Sequence, residues 1–342
     1  MVSIYDIAKA VGVSASTVSL VLNGRAGEMR ISRETQQLIL KVANEMGYIP
    51  NVSARKLSTR NISHMPEIAL FWSPEQHPLF LNTFINVLQN MTSSGEVREM
   101  RFTILPYQNG KLRELEQIIT ASYFNGIVVP PVFQEDIDFL AEANIQVPAV
   151  MLYGDLTKYN LVTVDNYRVG TKIADIFHKN GHKSVGIMQP VYSNTSLTII
   201  QRNNGIMDQC LKYNMEVKVF TSGQDSPSAN KVQEGRMAAE RMFEEKSVPT
   251  ALYIQNDILA LGALSVFSER GIRIPQDLEI IVYGINDSLE IHSPSITTVQ
   301  YPTEEISRAC IKVMADMLNM PGSPPVKIII DTPFIFRESC QQ

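Results

Sequence analysis

The chain has little cysteine: three in 342 residues, at 210, 310 and 340, far apart and without a CxxC pair. That excludes a disulfide-stapled scaffold and a zinc ribbon, and the expectation is free thiols in a reducing cytoplasm. No apolar run approaches the roughly 18 residues of a membrane span, and no basic–apolar–small leader opens the chain. No G-x-G-x-x-G opens a helix after a strand and no G-x-x-x-x-G-K-[ST] occurs, so dinucleotide and P-loop sites find no support. Ser193 and Ser196 lack a G-x-S-x-G elbow. His178 and His182 stand four apart, as a metal pair can, but Asn180-Gly181 ends the helix between them and no third ligand is near. Asp136/Asp138 and Glu304/Glu305 read as solvated acids of helix first turns. The expectation is therefore no metal, no cofactor and no enzyme.

What is present is more than one core. At 38.3 kDa, with 44% hydrophobic residues and a mean hydropathy of −0.03, the chain predicts a globular protein of two or three folded units. The net charge of −5 argues at first against a nucleic-acid partner, but residues 1–62 carry eight basic and four acidic side chains, net +4, leaving −9 for the remainder. A basic head on an acidic body suits a small DNA module, because phosphate attraction acts within about a Debye length.

The head repays closer reading. In residues 4–23, IYDIAKAVGVSASTVSLVLN, Ile4, Ile7, Ala8 and Val11 recur at helical spacing, and Val18, Val21 and Leu22 do so again. Gly12-Val13-Ser14 turns the chain between them, with Gly12 free to take positive φ and Ser14 placed to cap the second helix. That helix carries small polar side chains where a surface helix usually carries long charges, which makes it slim enough for a major groove. A plain helical hairpin gives the same two-helix pattern, so the continuation decides. Residues 32–46 form a third amphipathic segment capped by Ser32 and stopped by Gly47, and YIPNVSARKLSTR follows.

The ordered series DIA-x-x-x-GVS-x-x-TVS-x-VLN, IS-x-E-T and GY-x-PN-x-x-AR-x-L resembles the headpiece of the lactose-repressor family of bacterial transcription regulators. The resemblance implies that Ser3, Tyr5, Ser14, Ala15, Ser16, Thr17, Ser19 and Asn23 face operator DNA. It also implies that Asn51, Ala54, Arg55 and Leu57 belong to a hinge that becomes helical on DNA, where Leu57 wedges into the minor groove. Without the resemblance, residues 50–62 read equally as a linker. Leu20 stands where the family often has an arginine, and the 26–30 loop is longer than usual, with Arg25 or Arg30 near phosphate.

From Glu67 apolar strand-like runs (IALFW, RFTILPY, GIVVPP, VPAVMLYG) alternate with helical patterns around 80–93, 112–122 and 135–143. After Val162 the alternation restarts, with helices at 167–180, 198–213, 230–246 and 257–270 between strands. Such alternation predicts an α/β fold with two parallel sheets in two subdomains and a cleft between them. The phrases VDNYRVG, GHKSVGIM, RNNG, PTALYIQNDILALGAL, RGIRIPQDLEIIVYGIND, SITTVQYP and FRESC resemble the same family, whose core is periplasmic-binding-protein-like. The implied division is a headpiece at 1–48, a hinge at 49–65, a first core subdomain of 66–163 plus 297–321, and a second of 164–296 plus 322–342. The helix at 303–319 then belongs to the first subdomain and the last strands to the second.

Ligands of such folds bind at the carboxyl ends of strands. Trp72, Phe80, Tyr153, Asp165, Arg202, Asn256, Asn286 and Tyr301 stand there and are the candidate effector residues. Arg202 matches the family's effector arginine in R-x-x-G, and its guanidinium suits vicinal hydroxyls or a carboxylate; read alone, it is also an ordinary surface arginine on a helix. Asn256-Asp257 opens a helix, and the cap is assigned to Asp257 and the ligand to Asn256. Asn286 replaces an acid of the family pattern, Tyr301 stands where a glutamine is frequent, and Tyr153 where an acid can occur, implying a neutral, aromatic pocket.

Together these imply a cytoplasmic homodimeric repressor, joined through the core, that binds double-stranded operator DNA and a sugar-like effector and has no membrane partner. With two residues, Gln341 and Gln342, after the FRESC phrase, no heptad tail for a tetramer is expected. The rivals are a small-molecule binding protein without a DNA role and, further off, an α/β enzyme.

Overall fold

The computed structural model describes residues 3–22, 26, 31–46, 65–73, 76–120, 123–130, 133–191, 196–223, 230–285 and 287–341. Three helices come first: α1 (Ile4–Val11), α2 (Ala15–Leu22) and α3 (Arg33–Glu45). Ser3 opens α1 with a reciprocal cap: its Oγ accepts the Asp6 N–H at 3.3 Å while Asp6 accepts the Ser3 N–H at 2.8 Å. Gly12 ends α1 in the left-handed region at φ 77°, which a β-carbon would strain. The Ser14 Oγ then accepts the Thr17 N–H at 3.1 Å and starts α2 after a bend of 109°. Ile7, Val18, Val21 and Ile39, one or two from each helix, close a small core.

The rest folds on two six-stranded sheets. The first runs β11 (Lys327–Ile330), β5 (Asn160–Val164), β4 (Ala149–Met151), β3 (Gly126–Val129), β1 (Glu67–Trp72), β2 (Arg101–Pro106), and all neighbours are parallel. The second runs β12 (Phe334–Ile335), β10 (Thr297–Gln300), β9 (Glu279–Gly284), β8 (Ala251–Ile254), β6 (Ser184–Met188), β7 (Glu216–Phe220), parallel except at β12. Helices cover both faces, so inner strands such as β1, β3, β4 and β8 read as nearly unbroken apolar runs. In β1, Ile68 and Leu70 meet α4 (Pro78–Ser93) and α11 (Thr303–Asn319). Ala69 and Phe71 face the other way, towards α5 (Glu116–Thr120), the 3-10 turn before it and α6 (Gln134–Glu142). The second sheet packs α7 (Asn166–Lys179) and α8 (Leu197–Lys212) on one face, and α9 (Lys231–Glu244) and α10 (Asp257–Glu269) on the other. Phe84 and Phe177 are wholly buried in these layers, and truncating either to alanine costs about 3–5 kcal/mol.

Two expected crossings between subdomains are corrected. β10 lies in the second sheet, so the chain returns to the first after Gln300 and not at 296; β11 lies in the first sheet, so the last crossing follows Ile330 and not 322. The physical reason is directional. The cleft lies at the carboxyl ends of the strands, so a chain can change sheets only on leaving a strand, as it does after β5, β10 and β11. Positions 296 and 322 precede strands and lie at the far end. The expected 112–122 helix is shorter and mixed, a 3-10 turn at Leu112–Leu115 leading into α5, because the buried Asp136 accepts the N–H groups of Gly110 and Leu112 and sets a tight entry.

Candidate functional site

On the headpiece, α2 presents a face without charge. Ser16 is exposed, Ala15, Thr17, Ser19 and Leu20 are half-buried, and Tyr5 on α1 is 72% exposed beside them in sequence order. Two of the expected contact residues have structural work. Ser3 and Ser14 use their hydroxyls as helix caps, and Ser14 Oγ lies 2.8 Å from Thr17 Oγ1. The expectations on Asn23, Asn51, Ala54, Arg55 and Leu57, and on Arg25 and Arg30, fall outside the described residues.

In the core, a cavity of about 190 Å³ opens between the carboxyl ends of both sheets. The order reverses at β1/β3 in one sheet and at β6/β8 in the other, and the crevices at those switch points meet here. Phe80, Phe133, Tyr153, Tyr283 and Tyr301 form aromatic walls. Tyr153 and Tyr301 join hydroxyls at 2.8 Å, and burial pushes the Tyr153 phenol up to about 12. An antiparallel bridge between Phe133 and Ser196 ties the two subdomains at the rim.

Arg202 lies on α8, 4% exposed. Its guanidinium sits over the Tyr283 ring, 3.5 Å from the centroid, and its Nε donates to Gln255 Oε1 at 3.3 Å. Gln255 in turn donates to Asn203 Oδ1 at 2.6 Å, and Asn203 to Gln189 Oε1 at 2.6 Å. This buried chain of amides, one from the end of β6, one from the end of β8 and one from α8, fixes the arginine head at the cavity floor. Three residues that line the cavity each hold a buried polar atom without a hydrogen-bond partner within the protein: Gln76 Nε2 in the first subdomain, Asn166 Oδ1 and Arg202 Nη1 in the second. Buried polar atoms are normally paired, so such a cluster on one cavity marks it as a place where a polar molecule belongs.

Of the eight candidate residues, the cavity gathers five: Phe80, Tyr153, Arg202, Asn256 and Tyr301. Trp72 stands one layer behind, stacked on Phe80 at 5.7 Å between ring centroids. Asp165 is outside; its carboxylate caps α7 by accepting the Arg168 N–H at 2.9 Å, which corrects its assignment to the effector. Asn286 lies outside the described residues. The cap assignment at 256–257 is corrected, although Asn256 still lines the cavity. Asn256 is the cap, accepting the Leu259 N–H at 2.7 Å, whereas Asp257 is fully buried and accepts the Ile258 and Ile285 N–H groups at 2.8 and 3.1 Å. Asp257 also faces His77 Nε2 of the first subdomain at 3.4 Å. Gln189, Asn203 and Gln255 were not singled out from the sequence. The signal available was a polar residue directly after an apolar strand, which Gln189 and Gln255 both are.

Among the described residues no group of three His, Cys, Asp or Glu side chains could hold a metal ion, and no single helix is long and apolar enough to cross a membrane. Comparison with known proteins matches residues 3–51 to the family described as bacterial regulatory proteins, lacI family, and residues 174–340 to the periplasmic binding protein-like domain. The probable HTH-type transcriptional repressor ExuR of Bacillus subtilis (strain 168) is 27% identical over 355 residues, covering 100% of this chain and 99% of that protein. The crystal structure of a LacI family transcription regulator from Clostridium acetobutylicum is 28% identical, with a TM-score of 0.70, covering 80% of this chain and 99% of that one. The lac repressor dimer bound to operator and the anti-inducer ONPF shares the fold, with a TM-score of 0.67 at 19% identity over 99% and 98% of the two chains. The chain thus carries a lacI-family head ahead of a periplasmic binding protein-like domain, and it is a DNA-binding transcription regulator and not an enzyme.

Proposed function

We propose that this regulator is a cytoplasmic repressor whose headpieces, paired in a homodimer through the core, read a roughly palindromic operator under the control of a sugar-like molecule held between the core subdomains. The observation that carries the reading is the cavity between the sheets, with buried polar atoms of both subdomains, Gln76 Nε2 on one side and Asn166 Oδ1 and Arg202 Nη1 on the other, lacking partners within the protein. A molecule that bonds to both sides favours one relative arrangement of the subdomains. It controls DNA binding only to the extent that it prefers the DNA-competent or the incompetent arrangement. The aromatic walls suit the apolar face of a sugar ring, and the volume suits a monosaccharide. On DNA, the exposed Tyr5 and Ser16 with Ala15, Thr17 and Ser19 make the groove surface, joined by Asn23 and, in the hinge, by Asn51, Ala54, Arg55 and the wedge Leu57. Ser3 and Ser14 act there through the helix ends they fix. The lac repressor dimer, solved on operator with an anti-inducer, supports the same division of labour here.

The test is to identify by mass spectrometry the small molecules carried through purification of the full-length protein, beside Arg202→Ala. A compound retained by the wild type and lost from the variant supports the reading; retention of the same compound by both removes the cleft as its site.

A further inference from the structure

We infer that the small molecule of the cleft is an acid, a monosaccharide-sized compound whose single carboxylate pairs with Arg202. This deepens the proposed function and rests on it. Arg202 is 4% exposed, its guanidinium is stacked by one face on Tyr283 and bonded through Nε to Gln255, and its Nη1 has no partner within the protein. Around it stand the phenols of Tyr153, Tyr253 and Tyr283, the last two within hydrogen-bonding reach of the guanidinium, and no carboxylate among the described residues. Asp257 is the one carboxylate among the described cavity-wall residues, and it is engaged by the Ile258 and Ile285 N–H groups and faces His77. Lys231 adds a second positive charge to the wall. A cation taken out of water without a counter-charge is strongly unfavourable, and cation–π stacking offsets only part of that. A neutral sugar brings hydroxyl acceptors but leaves the charge uncompensated. A carboxylate supplies the planar pair of oxygens that a guanidinium fork takes up. A hexose phosphate brings the charge too, and the titration separates it from the carboxylate.

The experiment is titration calorimetry on the full-length protein with matched probes: glucose against glucuronate, galactose against galacturonate, and glucose 6-phosphate. Operator affinity is measured with each probe in parallel. One uronate is expected to bind at least about 10-fold more tightly than its neutral partner. Arg202→Gln is expected to weaken that uronate by about 10- to 100-fold and erase the preference. Arg202→Lys, which keeps the charge, is expected to keep the preference at lower affinity. Cooperative melting of both variants establishes that they fold. The inference is overturned if neither uronate binds by about 10 mM, if a neutral hexose or the phosphate binds as tightly, or if Arg202→Gln keeps the preference. A neutral hexose that binds and shifts operator affinity removes the acid and leaves the effector reading standing. A uronate that binds through Arg202 with no effect on operator affinity supports the acid and removes the effector reading.

Discussion

Gly170 on α7 faces the backbone carbonyl of Arg202 on α8, so closely that a β-carbon at residue 170 would overlap that oxygen. One turn on, Gly205 stands in the same relation to the Tyr167 carbonyl. The two glycines let the helix axes approach and set where the arginine leaves the backbone. Gly170→Ala forces α8 away, and a loss of about 1–3 kcal/mol is expected from overpacking, read as a lower urea midpoint. Effector affinity should fall with it, because Arg202 is carried on the displaced helix; an unchanged midpoint would show that the helices part freely.

Asp257 links three elements. It takes N–H groups from the start of α10 and from Ile285 after β9, and it meets His77 across the cleft. Asp257→Ala leaves the Ile285 N–H without this acceptor, and unfolding free energy should drop by about 1–3 kcal/mol. Urea titration by circular dichroism measures this, and a change below about 0.5 kcal/mol would show that water replaces the carboxylate.

How much of this was legible in the sequence differs from element to element. The helix at 303–319 was placed to the residue, because its apolar stripe and flanking breaks are both local. The phrases RNNG, VDNYRVG and the 249–264 run carry Gly205, Gly170 and Gly262, and their close-packing role appears only once the partner helix is known. The crossings at 296 and 322 went wrong because a strand's sheet is not written in its own residues: β10 and β11 are both strands of four residues, and neither names its neighbours. The cap was assigned to Asp257 rather than Asn256 for a similar reason. Either side chain can cap a helix, and what decided was Ile285, 28 positions away in sequence. The Gln189–Asn203–Gln255 chain was missed because no single amide in it is unusual; only the fold brings the three together.

The loop after α10 carries a pH signature. Asp277 accepts the side-chain and backbone N–H groups of Arg273, and these hold its carboxyl down from 3.8 to about 2. A carboxyl depressed in the folded state contributes stability that is whole above about 3.8 and is lost as pH falls through about 2. Asp277→Asn should therefore differ from wild type at pH 7 and converge with it near pH 2 in urea midpoints taken across that range. A difference that persists unchanged at pH 2 would place the effect in packing.

Assembly has its own test. On α4, Ile85 is 41% exposed, flanked by Leu81 and Leu88, which pack partly against the core, and Leu211 at the end of α8 is 76% exposed. Covering such positions by a second copy fits a homodimer through the core. Sedimentation equilibrium at micromolar concentration should give a dimer, and Ile85→Glu with Leu211→Glu should shift it towards monomer; a wild-type monomer or tetramer would contradict the assignment.

The central claim is that the cleft controls the headpiece. It is tested most directly by fluorescence anisotropy on an operator selected from genomic fragments, titrated with full-length wild type and Arg202→Ala, with and without the molecule recovered from the wild-type protein. The account predicts that this molecule changes wild-type operator affinity by about 5- to 150-fold, the range of typical allosteric couplings, and that the change vanishes in Arg202→Ala while both proteins still bind the operator. An equal change in the two proteins would contradict it.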